Sequence, residues 1–208
     1  MKKKLLIIAV LFLSASSKVS SQTEFGVKSG LNFSKYSKSV FGAEYQYRIG
    51  FYAGGFFNYK INDKFKLQTE LLFAQQGSNL VIKDVVIREF PDQVPVRGDF
   101  KSKIIESTIA IPILAQYYVA DKIYVEAGPQ FGFIIKREEE ITESPIDDPS
   151  FNNVSEFDYD SFSLGFSIGS GYELNEKLTF NFRYYFGLLE RDLDVKLSVF
   201  NLGIEYRL

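Results

Sequence analysis

Glu70, Glu126, Glu205 and Arg183 are the residues on which chemistry in this chain would have to rest. The 208-residue sequence contains no His and no Cys. That removes Ser-His-Asp and Cys-His nucleophile pairs, imidazole metal sites, thiolate zinc sites, disulfides and haem attachment. Paired carboxylates can still serve proton transfer or glycoside hydrolysis, but nothing in the sequence supplies a sugar-binding cleft beside them. An arginine among carboxylates points instead to a structural ion-pair network, because bidentate hydrogen bonds satisfy both partners and leave no charge buried alone. The run from Lys136 to Asp160 holds Glu138, Glu139, Glu140, Glu143, Asp147, Asp148, Glu156 and Asp158. Its spacing lacks the EF-hand pattern with a central Gly, so it reads as a solvated, self-repelling loop. Neither a cofactor nor a metal is expected.

The N-terminus addresses the chain elsewhere. Lys2, Lys3 and Lys4 precede the apolar run Leu5 to Leu13, and small residues lead to Val19-Ser20-Ser21 before Gln22. The pattern is that of a secretory signal peptide over 1–21, leaving a mature domain over 22–208. An apolar run this short cannot cross a bilayer as a helix, which needs roughly 20 residues. Cleavage would leave 20 basic against 26 acidic groups, a net charge of about −6. That balance argues against nucleic acid as a partner.

What must position the charged residues is a set of strands, because the exported part alternates with a period of two. Phe162, Leu164, Phe166, Ile168, Tyr172 and Leu174 share one face, and Ser163, Gly165, Ser167, Gly169, Gly171 and Glu173 the other. The same reading gives eight strands near 23–34, 47–61, 65–76, 104–119, 123–135, 161–174, 178–188 and 196–208. Pro112 within the fourth suggests a bulge or local break in the ladder. Three short turns, Asn62-Asp63-Lys64, Ala120-Asp121-Lys122 and Asn175-Glu176-Lys177, alternate with longer connections near 35–46, 77–103, 136–160 and 189–195. In an antiparallel meander all short turns then lie at one end, the asymmetry of outer-membrane barrels.

Glycine tells which face looks inward. Eleven of the 15 glycines fall on the polar face, with Glu24, Lys28, Arg48, Lys66, Glu70, Glu126, Glu173, Arg183, Glu205 and Arg207. An eight-stranded barrel is just wide enough inside for side chains to fill, and small residues beside a few long charged ones would fill it. The opposite face, rich in Phe, Leu, Ile and Tyr, makes a lipid-facing band, with Tyr47, Tyr59, Tyr117, Tyr172 and Tyr206 at headgroup level. The alternative is a soluble lipocalin-like periplasmic barrel carrying an apolar ligand. Its exterior would have to be largely Gly and Ser, which weaken strands.

Phe25-Gly26-Val27-Lys28-Ser29-Gly30-Leu31-Asn32-Phe33, Leu67-Gln68-Thr69-Glu70-Leu71-Leu72-Phe73 ending in Gln76-Gly77, Ile111-Pro112-Ile113-Leu114, Val125-Glu126-Ala127-Gly128-Pro129 and Phe182-Arg183-Tyr184-Tyr185-Phe186-Gly187-Leu188 resemble the successive signatures of the PorT-like outer membrane β-barrel family. The resemblance spans nearly all of the exported chain. It implies an all-β, eight-stranded antiparallel up-and-down transmembrane barrel in the outer membrane, non-enzymatic, either structural and adhesive or accessory to a protein secretion assembly. Glu70, Glu126 and Arg183 match the family's charged positions. Leu208 departs from the usual terminal Phe, while Phe200, Leu202, Ile204 and Tyr206 keep the alternation that the barrel-assembly machinery reads. Between Gly77 and Lys103, the apolar Val81, Ile82, Val85, Val86 and Ile87 would extend a hairpin beyond the membrane, with an edge able to pair with a protein partner.

Overall fold

The computed structural model describes residues 22–37, 42–87, 95–145, 155–156, 161–191 and 195–208. The expected signal segment 1–21 lies outside them. Ten strands form one antiparallel sheet. They are β1 (Thr23–Ser37), β2 (Ala43–Gln46), β3 (Arg48–Lys60), β4 (Phe65–Ile87), β5 (Val96–Ala120), β6 (Ile123–Glu143), β7 (Ser155–Glu156), β8 (Phe162–Glu173), β9 (Leu178–Gly187) and β10 (Lys196–Arg207). Eight of them close a ring in the order β1-β3-β4-β5-β6-β8-β9-β10, and β10 returns to β1 from Gly26↔Arg207 to Ser37↔Lys196. Closure leaves the ring without an open sheet edge, as hydrocarbon demands. The short β2 and β7 flank the ring on β4 and β6.

Two of the short turns share one device. Asn62 Oδ1 accepts the backbone N–H groups of Lys64 (2.9 Å) and Phe65 (3.0 Å), and Asn175 Oδ1 those of Lys177 (2.9 Å) and Leu178 (2.8 Å). An Asn side chain standing in for a backbone acceptor reverses the chain, which explains the repeated Asn-acidic-Lys at these positions. Pro112 breaks the ladder without a bulge: the β4–β5 register runs from Leu72↔Ala110 to Thr69↔Ile113 with no shift. A missing N–H removes a rung but does not change the spacing. The register shifts fall elsewhere, at Ile82/Val85, Lys101/Ser102, Ser107/Thr108 and Tyr118/Ala120.

The strands run longer than the alternation suggests. β6 continues through Glu143, so residues 136–143, read as solvated loop, are paired wall facing β5. Their lysines and glutamates sit cross-strand, Lys101 with Glu143 at 2.6 Å and Lys103 with Glu140 at 3.7 Å, which relieves the self-repulsion expected of the acidic run. The outward face is apolar and about half exposed at Leu31, Phe51, Leu71, Ile168 and Leu202, as a lipid-facing band must be. Among the described residues no helix is long and apolar enough to cross a membrane; the crossing is made by strands.

Candidate functional site

Period two turns Lys28, Glu70, Glu126, Arg183 and Glu205 into the lumen from five strands, and all are buried. Arg183 donates from Nη1 to Glu70 Oε2 and from Nη2 to Glu70 Oε1, both at 2.8 Å, and from Nε to Glu126 Oε1 at 2.8 Å. Lys28 Nζ lies 3.0 Å from Glu70 Oε1 and 2.7 Å from Glu205 Oε1. Gln68, Gln116 and Asn181 complete the donor set: Gln68 Nε2 donates to Glu70 Oε1 (2.5 Å) and Glu205 Oε1 (3.2 Å), and Gln116 Nε2 to Glu126 Oε2 (3.1 Å). The structure thus brings Glu70, Glu126, Arg183 and Glu205 together and adds Lys28, which the sequence had placed on the right face without a partner.

Two further clusters bracket this centre. At the turn end, Lys66 and Arg207 pair with Glu24 and Glu173, and Tyr118 Oη donates to Glu173 Oε1 at 2.5 Å. At the opposite end, Glu106 is fully buried, accepts a hydrogen bond from Tyr36 Oη at 2.7 Å, and faces Arg191 Nε (3.4 Å) and Arg137 Nε (3.8 Å). Sequence reasoning missed this second site. Glu106 lies on the inward parity of β5 and was legible; Arg137 was not, because the shift at Ser107/Thr108 reverses the parity of β6. In these three clusters six basic side chains (Lys28, Lys66, Arg137, Arg183, Arg191, Arg207) meet six acidic ones (Glu24, Glu70, Glu106, Glu126, Glu173, Glu205). They sum to zero.

Aromatic rings fill what the charges leave. Tyr52 lies against Gly203 and Gly30, Tyr124 against Gly171, and Tyr185 against Gly165, where an added Cβ would overlap the ring. The lumen glycines are therefore sockets for large rings, whereas the sequence had suggested only small residues beside long charged ones. Above the centre, Asn32 and Asn201 join by a hydrogen bond and Gln76 Nε2 donates to Thr108 Oγ1 at 3.2 Å. The void left beside Tyr52, Gln76 and Arg183 is about 20 Å³, room for one water. A larger recess of about 2250 Å³ lies at the turn end, lined by outward Phe25, Phe57, Leu71 and Leu208 and by inward Glu24, Phe56, Glu70 and Glu173. Glu70 there is buried and ion-paired rather than open to a ligand, and a lipocalin-like carrier is not favoured.

The suggested partner segment is partly occupied. β4 is paired on both edges over Asn79–Ile82, by β2 and by β5. Val81 is buried, Ile82 and Val85 are half-buried, and Val86 is exposed; the side chain of Ile87 lies outside the described residues. The edge expected at Val81 and Ile82 is thus closed, while β5 alone among the described strands pairs with Val85–Ile87. Lys101, beside this region, has its pKa raised by the hydrogen bond and charge of Glu143.

A closed eight-stranded wall with an apolar exterior and a packed, neutral interior defines an outer-membrane β-barrel. The chain belongs to the outer membrane protein beta-barrel domain family, whose model matches residues 15–190, and its place is the outer membrane. Among solved structures it is similar to Ail, the attachment invasion locus protein of Yersinia pestis, in complex with the heparin analogue sucrose octasulfate. That match has 14% identity and a TM-score of 0.51, and covers 90% of this chain and 99% of that one. It is also similar to Neisserial surface protein A, at 13% identity and a TM-score of 0.52, covering 88% and 96%. At these identities the likeness is one of fold. No curated protein matches the chain in sequence.

Proposed function

We propose that this barrel is non-enzymatic and acts through the wall that rises beyond its ring, as a structural or adhesive surface protein or as an accessory of a secretion assembly. The observation that carries this is the unequal length of the strands. β4, β5 and β6 have 23, 25 and 21 residues, whereas β8, β9 and β10 have 12, 10 and 12. Ten extra residues at about 3.3 Å each add roughly 30 Å of sheet. A filled lumen supports contact rather than transport, and long connections in such barrels face outward.

The extension does not favour a polyanion of the kind named with Ail. Lys101, Lys103 and Lys136 each face a glutamate, the last at 2.6 Å from Glu138. A protein partner adding a strand at Val85–Ile87 fits better. The secretion reading rests on the PorT-like motif set, and dependence on the barrel-assembly machinery on the alternating β10. The test is crosslinking in cells from photoreactive groups at Thr142 and Glu143, exposed at the end of β6, followed by identification of neighbours. Capture of one recurrent protein, lost when residues 83–98 are replaced by a short turn while the barrel stays heat-modifiable, is the expected result. Unchanged capture without the extension would overturn the proposal.

A further inference from the structure

We propose that the outer end of the wall formed by β1, β3 and β4 binds the phosphorylated headgroup of an outer-leaflet glycolipid through Lys35 and Arg48. The ladder has a gap there. Pairing of β3 with β4 stops at Tyr52↔Ala74, and β2 resumes it only at Gln46↔Asn79, so residues 47–51 share no rung with residues 75–78. Side chains stitch the gap instead. Asn32 Nδ2 donates to Phe51 O (3.1 Å) and Gln75 O (3.2 Å), Asn79 Nδ2 to Tyr47 O (3.0 Å), and Arg48 from Nη1 to Gln76 O (3.5 Å) and from Nη2 to Gln75 Oε1 (3.1 Å).

The gap opens on lipid. Tyr47, Ile49 and Phe51 beside it are exposed, and Gln75 shares the outward parity of Leu71 and Phe73 on β4, so its bond to Arg48 draws that charge toward the lipid-facing side. The rung Ser34↔Arg48 sets Lys35 and Arg48 on neighbouring strands. Lys35 Nζ lies 4.7 Å from the centroid of the Tyr47 ring, and that ring packs on Phe200 at 6.3 Å.

Neither cation has a carboxylate partner among the described residues, whereas Lys28, Lys66, Arg183, Arg191 and Arg207 each pair with a glutamate. Positive charge left at the edge of hydrocarbon is met by lipid phosphate. Arg48 uses two of its five N–H donors within the protein, and the rest of its fork, like the Lys35 ammonium, suits phosphate oxygens. Two cations held apart match a headgroup with two phosphates and need not meet at one point. The end opposite the short turns faces outward in such barrels, which makes the outer leaflet the source. The site is independent of the partner strand proposed for the extension.

The test is native mass spectrometry of the full barrel in detergent with bisphosphorylated lipid A, its dephosphorylated form, or phosphatidylglycerol. Bisphosphorylated lipid A should bind several-fold more tightly than either of the others. Lys35→Gln and Arg48→Gln should each weaken it several-fold, and together remove the preference for the phosphorylated form. Lys101→Gln, whose ammonium already pairs with Glu143 at 2.6 Å, should bind as the parent does. Lys35→Gln leaves the stitched gap intact, so it decides the matter even if Arg48→Gln fails to fold. Parental affinity in Lys35→Gln, equal binding of the dephosphorylated lipid, or phosphatidylglycerol bound as tightly would each overturn the proposal.

Discussion

Arg183 holds two carboxylates with three nitrogens, and Glu70 and Glu126 are otherwise served by neutral amides and one lysine. Replacing Arg183 by Leu therefore leaves buried negative charge facing only Lys28, an effect on the order of 3 to 5 kcal/mol for a buried pair. We expect Arg183→Leu to lose heat resistance in gel-shift assays, while Phe182→Leu, one residue away and facing lipid, changes it little. Persistence of the folded band at the parental temperature in Arg183→Leu would contradict a packed charged core. At this scale much was legible in the sequence: strict alternation puts Glu70, Glu126, Arg183 and Glu205 on the inner face. Which of them meet was not, because Lys28 on β1 reaches Glu70 on β4 across β3, a contact made by strand tilt and barrel curvature rather than by spacing.

Among elements, the end opposite the turns is fastened by one carboxylate. Glu106 on β5 draws in Tyr36 from the end of β1, Arg137 from the extension of β6 and Arg191 from the β9–β10 connection. Tyr36 also packs with Ile104, Tyr185, Val195, Leu197 and Val199. Glu106→Gln removes the charge that faces both arginines while keeping the shape. Hydrogen exchange should then accelerate at Tyr36 and at Val195–Val199, and stay unchanged at Arg183 and its neighbours. Uniform acceleration around the whole ring would show that the fastening is not local. The eight barrel strands and three short turns were legible from period two and the acidic-Lys repeat at Asp63-Lys64, Asp121-Lys122 and Glu176-Lys177. The extension of the β4–β5 hairpin was legible from the apolar Val81 to Ile87, but that of β6 was not, since Glu138, Glu140 and Glu143 look like solvated loop until pairing across to β5 neutralises them.

For the whole molecule, neutrality and packing together predict a barrel that does not conduct. An eight-stranded lumen already occupied by side chains leaves no aqueous path, and the void beside Tyr52, Gln76 and Arg183 is about one water in size. Wild-type protein in a planar bilayer should pass little or no steady current, and large stable open-channel currents would refute the filled lumen. The glycine count correctly indicated which face looks inward, but not why. Gly171, Gly165 and Gly203 were read as small filler, whereas Tyr124, Tyr185 and Tyr52 occupy the space they leave, a pairing between strands that no single strand's pattern records.

The seam between β1 and β10 has a consequence in time. Gly26 pairs with Arg207 and Ser37 with Lys196, so the first barrel strand to be synthesised finishes its bonding only against the last. Until β10 is present, β1 and β9 each carry an unpaired edge that neither water-free lipid nor a crowded periplasm tolerates. The chain thus has no stable halfway stage. Closure is therefore expected to come late and to depend on the residues of β10, Lys196–Arg207.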